Sequence, residues 1–187
     1  RCNLFCVTET WLSEEKDIGE LDGYTAIRFD RDKEKTEKGV GGGLMMFVNK
    51  GWATNYTVRE TISTKDFELL SVSFRPHYLP REFGQLTVIL VYIPGPNNAI
   101  AADRIADSYN RALSMASDQP VLLLGDFNTC DVSKHLPHLH QYVTHPTRRN
   151  NILDKCYLNI PDAYVDRVAP PLGRSDHNVV HMLPCYR

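Results

Sequence analysis

Apolar residues occur along the chain in short runs that polar and glycine-rich segments separate, a pattern typical of buried β-strands. Where apolar and polar positions alternate, as in "ELLSVSFR", one face of a strand is expected to be buried. Strands are predicted in this way at residues 3–8, 43–48, 68–75, 85–93 and 121–124, and within 151–158, 163–168 and 178–183. The sequence therefore predicts a protein built mainly from sheets.

One segment follows the period of a helix instead. Between Asn98 and Ser117 apolar residues recur every three or four positions, at Ile105, Tyr109, Ala112, Leu113 and Ala116. The predicted helix leads directly into the strand at 121–124, as a crossover between strands does. Strands in succession, one helix and then further strands predict an α+β fold in a single domain, residues 1–187.

Residues 28–43 are predicted to form a loop, because alternating charges and four glycines neither bury a face nor hold a helix. The basic side chains of this segment either bind DNA phosphates or belong to a solvated mixed-charge surface. They are Arg28, Arg31, Lys33 and Lys35. The glycines at 41–43 are not predicted to cradle a phosphate, because no Gly-Lys-Ser/Thr follows them.

Residues 134–147 are also predicted to be irregular, and they contain three closely spaced histidines, His135, His138 and His140. A zinc site built from such residues needs a fourth ligand nearby or a matching cysteine pair, and the segment offers neither. The three histidines are therefore predicted to lie on an exposed loop.

The overall composition limits the classes of protein that the chain can be. With 187 residues, 42% of them hydrophobic, the chain suits one globular domain. No apolar run reaches the ~18 residues that cross a bilayer, so no membrane partner is expected. Five cysteines, an odd number without a C-x-x-C pair, predict reduced thiols in an intracellular protein. Because the net charge is −2 and the pI about 6.4, local basic groups or a metal must hold any polyanion.

Polar residues that carry chemistry follow several of the apolar runs. "VLLL" leads into Gly-Asp-Phe-Asn, and "NLFCVT" leads into an acid. Strand ends at one edge of a sheet converge on a common crevice, so residues far apart in sequence can meet there. The candidates are Glu9, Asp126, Asn128, Asp154, Asp176 and His177.

Carboxylate and amide oxygens are the ligands that suit Mg²⁺, which keeps waters for the phosphate oxygens of a substrate. His177 could hydrogen-bond a phosphoryl oxygen or a water, and Asp154 could fix its tautomer, as in the base-plus-orienter pairs of hydrolases. Together these residues predict phosphodiester or phosphomonoester hydrolysis. Singly, each acid is as well explained as a turn former, a cap or a strand-edge acid, so the hypothesis depends on their joint occurrence.

Six segments occur in a recognisable order: TETWL, GGGLMMFVN, VYIPG, LLLGDFN, PTRRNNILD and RSDHNVV. With them the chain resembles, over almost its whole length, the endonuclease/exonuclease/phosphatase superfamily, to which GDFN with SDH is specific. The spellings ETWL, GGG and PTR…LD are most similar to the endonuclease domain of non-LTR retrotransposons. The resemblance implies a DNase-I-like α+β fold, a four-layer α/β/β/α sandwich with the site at one end.

The resemblance also implies roles for individual residues. Glu9 would be the principal metal ligand, with Asp176 at the same or a neighbouring site, for Mg²⁺ or alternatively Mn²⁺. Asp126 would activate or position the attacking water, and Asn128 would steady that water or the scissile phosphate.

Further residues would act directly on the substrate. His177, oriented by Asp154, would contact the phosphate and stabilise the charge that develops in the transition state. Tyr92 would lie against the phosphate or the leaving oxygen. The predicted substrate-binding residues are Thr147, Arg148 and Arg149.

The leading hypothesis is a Mg²⁺-dependent endonuclease of retroelement origin that nicks DNA. A monomer in the nucleus is expected, fused to a reverse transcriptase in the full-length element. The alternatives are a phosphatase or phosphodiesterase of the same superfamily acting on lipid or inositol phosphates, and an inactive remnant that binds nucleic acid or a protein. The superfamily's first strand-helix unit, with its asparagine, is missing before residue 1, so the chain is expected to be a fragment or the product of a gene that lost this unit.

Overall fold

The structure, a computed structural model, describes residues 2–13, 15–32, 36, 41–95, 99–115 and 118–185. The strands are β1 (Leu4–Thr8), β2 (Tyr24–Phe29), β3 (Leu44–Asn49), β4 (Asn55–Ser63), β5 (Glu68–Arg75), β6 (Leu86–Tyr92), β7 (Val121–Asp126), β8 (His140–Gln141), β9 (Asp154–Leu158), β10 (Tyr164–Ala169) and β11 (Val179–Pro184). The helix α1 (Ala99–Met115) lies between β6 and β7 in sequence.

The larger sheet has six strands in the order β4-β5-β6-β7-β9-β8. β6 and β7 are its parallel pair, and the other neighbours are antiparallel. A parallel pair needs a crossover connection because both strands start at the same edge of the sheet, and α1 provides it. Both strands are nearly all apolar because the two faces of the sheet are covered at its centre.

A second layer of shorter strands packs over one face of the larger sheet. It consists of a three-stranded sheet, β1-β3-β2, and a two-stranded sheet, β10-β11. Among the strands described, β1 therefore pairs only with β3, and β11 only with β10. The inner core between the layers contains alternate residues of the larger sheet, such as Leu70, Val72 and Leu90, with Leu44 and Met46 of β3.

The opposite face of the larger sheet is covered by α1. Ile105 and Tyr109 of the helix are fully buried against the remaining strand residues, such as Ile89 and Leu123. Phe127, in the segment after β7, completes this outer core. No helix among the described residues has the length and apolar character needed to cross a membrane.

One row of polar residues crosses four strands of the larger sheet at a single edge. Glu68 pairs with Tyr92, Tyr92 with Asp126, and Asp126 with Asp154. Each residue is the first or the last of its strand, since β5 and β9 begin where β6 and β7 end. With neighbouring strands about 4.8 Å apart, the row spans about 14 Å on the face that meets the second layer.

The α+β fold that the sequence predicts is confirmed. So are all the predicted strands and the helix, with small shifts at their ends. Of the segment 134–147, predicted to be irregular, only the two residues of β8 pair as a strand.

Besides β8, two strands are missing from the prediction. β4 lies at an edge of the larger sheet, and its residues are mostly exposed, so it shows no buried period. β2 extends through Phe29, so the loop predicted at 28–43 is wrong for its first two residues. Pairing with β3, rather than a hydrophobic pattern of its own, holds β2 in place. Lys33 and Lys35 lie outside the described residues.

Candidate active site at the ends of the central strands

A polar cleft of about 320 Å³ opens at the edge of the larger sheet where β6 and β7 end. Tyr92 and Asp126 of the polar row form its floor, and segments next to β1 and β11 form its walls. The residues that line the cleft are Glu9, Tyr92, Pro94, Gly95, Asp126, Asn128, Thr129, Arg148, Asp176 and His177. Seven of the sequence-predicted site residues, on five separate segments, are therefore brought together.

His177 and Asp154 form a pair at one wall of the cleft. Nδ1 of His177 lies 2.8 Å from Oδ2 of Asp154, and both side chains are mostly buried. The hydrogen bond to Asp154 raises the pKa of His177 although burial opposes this. Because Nδ1 is engaged, Nε2 is the ring atom available to a ligand.

Thr147 supports this pair from behind. Its side chain is fully buried, and its hydroxyl accepts hydrogen bonds from the backbone N–H of Leu153 at 3.0 Å and of Asp154 at 3.1 Å. The carbonyl of Thr147 accepts from Asn178, the residue after His177. Thr147, predicted to bind substrate, is therefore placed to position Asp154 and His177 instead of contacting a ligand.

Asp126 is the most buried acid of the cleft, at 5% exposed. Burial raises its pKa to about 6, and the neighbouring carboxylates of Asp154 and Glu9 add to this. Oδ1 accepts a hydrogen bond of 2.9 Å from the backbone N–H of Asn128, which opposes the shift. The amide nitrogen of Asn128 donates to the carbonyl of Ile93 at 2.7 Å, so its amide oxygen is the atom left for a ligand.

Glu9 lies in a tight turn directly after β1. The backbone has φ values of +54° at Glu9 and +56° at Trp11, a conformation that costs free energy for residues other than glycine. The N–H groups of Thr10 and Trp11 donate to the carbonyls of Gly43 and Gly42, which hold this turn. The Tyr92 hydroxyl donates to Oε1 of Glu9, and burial, followed by this bond, raises the pKa of Tyr92.

Arg31 and Glu68 form a buried ion pair behind Tyr92. Arg31 is 5% exposed and Glu68 is 0% exposed in their side chains. The guanidinium carbon lies 5.6 Å from the centre of the Tyr92 ring, within cation–π range. Both predicted alternatives for Arg31, a DNA-phosphate contact and a solvated surface, are wrong because burial against Glu68 removes this side chain from the surface.

Arg28 is also engaged within the protein. It donates to both carboxylate oxygens of Asp30 at 2.6 Å and to the backbone carbonyls of Ser13 and Lys16. These contacts tie the segment after Glu9 to the end of β2. Arg28 therefore has a structural role that accounts for its charge.

Arg148 and Asp176 form an ion pair at the mouth of the cleft, and both are substantially exposed. Arg149 is exposed at the tip of the tight turn that Arg148 and Asn151 close, with φ of +53°, and it does not line the cleft. Arg148 is thus placed to meet a ligand entering the cleft, and Arg149 lies beside it on the surface.

The donor atoms of the cleft fit a hard divalent cation. Carboxylates of Glu9, Asp126 and Asp176 and the amide of Asn128 line it, and these are the ligands that Mg²⁺ prefers. A cation there would also offset the repulsion between the buried Asp126 and its acidic neighbours.

A second group of potential ligand atoms lies close together in the same cleft. Atoms of Asp126, Asp154 and His177 are all within 4.8 Å of one another, so this group could also hold a metal ion. Two of its members already bond each other, and imidazole suits zinc and similar metals better than Mg²⁺. Glu9 and Asp176, the metal ligands predicted from the sequence, line the same cleft but lie outside this group.

His135, His138 and His140 are exposed, as predicted. His135 lies 3.0 Å from Asp103 of α1, and the His138 ring packs 5.9 Å from that of Tyr109. His140 belongs to β8. Within the described part of the chain they take part in no cluster of candidate metal ligands.

Glu68 and Arg31 are the main site-supporting residues that the sequence interpretation missed. A signal for Glu68 was available, because it occupies a core-facing position of β5 that is otherwise apolar, with Leu70, Val72 and Phe74. A charge in that register predicts a buried partner or a site. Nothing local marks Arg31 as its partner, since the contact joins residues 37 positions apart.

No family model and no curated protein matches the chain. Solved structures do. An endonuclease/exonuclease/phosphatase family protein from Bacteroides thetaiotaomicron is 16% identical, with 96% of this chain and 82% of that one covered and a TM-score of 0.63. The mannosyl-6-phosphatase Bt3783 of the same organism is 15% identical, with 97% and 85% covered and a TM-score of 0.59. D. rerio TDP2 complexed with single-strand DNA product is 10% identical, with 96% and 84% covered and a TM-score of 0.53.

These likenesses establish the fold. The chain has the DNase-I-like architecture of endonuclease/exonuclease/phosphatase proteins, as the sequence resemblance implied. At such low identity, the likeness carries no information about substrate. What the chain does must be argued from its own cleft.

Proposed function

We propose that the chain is a metal-dependent phosphodiesterase and that its reaction is the nicking of DNA, as in an endonuclease of retroelement origin. One observation carries the proposal. A mostly buried His177–Asp154 pair, the buried acid Asp126 and the carboxylate of Glu9 meet in one open polar cleft. A base, an oriented imidazole and hard oxygen ligands are what phosphoester hydrolysis requires.

Glu9 and Asp176 would hold the metal, and Mg²⁺ is the ion that suits their oxygen ligands. When bound, the ion would supply positive charge to the oxygens of the scissile phosphate. Tyr92 fixes the carboxylate of Glu9 through its hydroxyl, and Arg148 holds Asp176. Both proposed ligands are therefore oriented by a neighbour within the protein.

The remaining groups act on the attacking water and the phosphate. Asp126, with its pKa raised to about 6, is suited to accept a proton from water near neutral pH. The amide oxygen of Asn128 would orient that water. His177, kept protonated by Asp154, would donate from Nε2 to a phosphate oxygen and stabilise the charge that builds up on it.

Two features support DNA as the substrate. Arg148 lines the mouth of the cleft and Arg149 lies beside it on the adjacent turn, where each could meet a backbone phosphate. The spellings shared with retrotransposon endonucleases point the same way, and they favour a nuclear protein.

Nicking of supercoiled plasmid by the purified chain tests the proposal. We expect relaxed circles in Mg²⁺, none in EDTA, and loss of activity in His177→Ala and in Asp126→Asn, with circular dichroism to confirm folding. An Arg149→Gln variant should weaken DNA binding and make its dependence on salt concentration shallower, because one phosphate contact is lost. A folded wild-type protein that leaves plasmid intact in Mg²⁺ and in Mn²⁺ would reject DNA as substrate.

A phosphatase acting on small phosphorylated molecules is the second candidate. It is favoured because, among the described basic residues, Arg28 and Arg31 are engaged in ion pairs within the protein and do not line the cleft. A panel of inositol and sugar phosphates, assayed by phosphate release, separates it from the nuclease. Release from one of these with an intact plasmid would establish the second candidate, and no activity on either would indicate an inactive remnant.

A further inference from the structure

We propose that the buried Arg31–Glu68 ion pair is a positioning device for the cleft, and that it fixes Tyr92 and the turn carrying Glu9. For its catalytic consequence this inference rests on the proposed function. The placement of the Glu9 turn can be measured without any enzymatic activity. The positioning inference and the proposed function can therefore fail separately.

The first step is the anchoring of Glu68. It lies directly across from Tyr92 in the antiparallel β5–β6 pair, in the polar row that continues to Asp126 and Asp154. Both oxygens of its fully buried carboxylate are used, one by Nε of Arg31 and the other by the backbone N–H of Gly43 at 2.7 Å. Glu68 therefore holds the guanidinium and the glycine segment at once.

The second step joins Arg31 to the wall of the cleft. Its guanidinium carbon lies 5.6 Å from the centre of the Tyr92 ring, whose hydroxyl donates to Glu9. A ring held from one side by a cation and from its tip by a carboxylate has little freedom to rotate. Any displacement of Arg31 is thus transmitted to the Glu9 carboxylate through one rigid side chain.

The third step is the glycine run. A Cβ at Gly42 would lie 2.2 Å from the guanidinium carbon of Arg31, so only glycine allows this approach. The carbonyls of Gly42 and Gly43 accept from Trp11 and Thr10, which hold the strained turn at Glu9. The glycines at 41–43, which do not cradle a phosphate, instead leave room for Arg31 at Gly41 and Gly42. The carbonyls of Gly42 and Gly43 bind the turn that presents Glu9.

Stability alone gives a poor account of this pair. Two desolvated charges seldom stabilise a fold better than apolar side chains of the same volume. Arg31 also keeps its Nη2 buried without a hydrogen-bond partner among the described residues, which is a further cost. A fixed position for Tyr92 and Glu9 is what the pair provides and an apolar pair would not.

The test is the double variant Arg31→Met/Glu68→Gln, which removes both charges and leaves neither buried alone. The chain has two tryptophans, so its two indole N–H resonances form an internal comparison. Trp11 reports on the Glu9 turn, and Trp52, 5% exposed in the inner core, reports on the fold. We expect the Trp11 resonance to shift and broaden while that of Trp52 stays in place.

The control removes an exposed Arg–Glu ion pair whose residues do not line the cleft, Arg111→Met/Glu60→Gln. It should leave both indole resonances unchanged. If the double variant at 31 and 68 does not fold, the Arg31→Lys variant is used for the same comparison of the indole resonances. Lysine keeps the positive charge but lacks the planar guanidinium group. If the double variant at 31 and 68 or the Arg31→Lys variant folds and its Trp11 resonance does not move, the inference is overturned.

The catalytic consequence is measured in the same proteins. Outer-shell changes at metal sites typically cost about 10–100-fold, so we expect the Kd for Mn²⁺ to rise and kcat to fall by about that factor. KM should stay within about twofold, because Arg31 does not contact substrate. Wild-type Mn²⁺ affinity and kcat in a folded variant would contradict this consequence. If the wild type binds no Mn²⁺ and hydrolyses nothing, the proposed function fails, and the indole comparison still decides the positioning role.

Discussion

At the scale of single residues, the site contains groups whose placement is unfavourable for the free energy of folding. Asp126 is a carboxylate with 5% exposure and two acidic neighbours, and its raised pKa measures how unfavourable its charge is there. Glu9 has a left-handed backbone conformation. Such costs are typical of functional positions, where stability and activity make opposite demands.

Replacing Asp126 by Asn should stabilise the protein at neutral and alkaline pH. The folded pKa of about 6 exceeds the unfolded value of 3.8, so the folded state binds more protons between them and stability falls as pH rises through that window. At pH 8 the ionised group costs about 3 kcal/mol at most. Asp126→Asn removes this cost, and its gain in melting temperature in EDTA should be larger at pH 8 than at pH 4.

Asp131→Asn is the matched control. The backbone N–H of Ser133 donates to Asp131 and lowers its pKa. Ionisation of this exposed acid therefore favours the folded state, whereas ionisation of Asp126 disfavours it. The Asp131→Asn variant is expected to show no gain in melting temperature at pH 8. A variant at position 126 that melts no higher than the wild type at pH 8 would show that the carboxylate is not held at a cost.

Thr147→Val should reduce both stability and activity. The change keeps the shape of the side chain but leaves the buried N–H groups of Leu153 and Asp154 without their acceptor. Each unsatisfied buried donor costs about 1–3 kcal/mol. We expect a lower melting temperature and a reduced kcat, because Asp154 orients His177. The exposed Thr57→Val on β4 should change neither, and equal effects of the two variants would contradict this role for Thr147.

At the scale of the elements, the register of the central strands builds the site. The parallel pair β6–β7 places Tyr92 beside Asp126, and antiparallel β9 places Asp154 on the other side. A slip of one residue in any pair would move these side chains to the opposite face. The site therefore depends on how closely β6 and β7 pack.

Gly125→Ala tests that dependence. Gly125 has φ of +141°, and a Cβ there would lie 1.9 Å from the carbonyl oxygen of Val91 in β6. The two strands would have to separate, so we expect a loss of about 3 kcal/mol or more in the free energy of unfolding by urea. Gly173, at φ of +61° with open space around it, should cost only about 1 kcal/mol on the same change. Similar losses at both positions would contradict the steric account.

The elements also show what sequence patterns can and cannot reveal. Buried runs such as β5 and β6 were predictable because tertiary packing gives them a clear hydrophobic signal. The exposed edge strand β4 and the short strand β2 lack such a clear hydrophobic signal. Asp126, Asn128 and His177 were predictable as site residues because polar groups directly flank buried strands. The inward role of Thr147 and the Arg31–Glu68 pair were not, since both depend on long-range contacts that no local pattern encodes.

At the scale of the whole molecule, three sheets in two layers bring distant segments to one cleft. Glu9 follows β1 in the smaller layer, Asp126 ends β7 in the larger sheet, and His177 precedes β11. The fold is shared with nucleases and phosphatases, so it leaves the substrate open. Hydrolysis of a phosphoester in this cleft is the claim common to every active candidate.

Hydrolysis of bis(p-nitrophenyl) phosphate, a diester, and of p-nitrophenyl phosphate, a monoester, tests that claim most directly, because neither assay needs a natural substrate. We expect the wild type to release p-nitrophenol in Mg²⁺ or Mn²⁺ and not in EDTA. Asp126→Asn and His177→Ala should each lower the rate by about 100-fold or more, whereas Asp131→Asn should not. Equal rates in all four proteins, or no metal-dependent release by a folded wild type, would contradict the account.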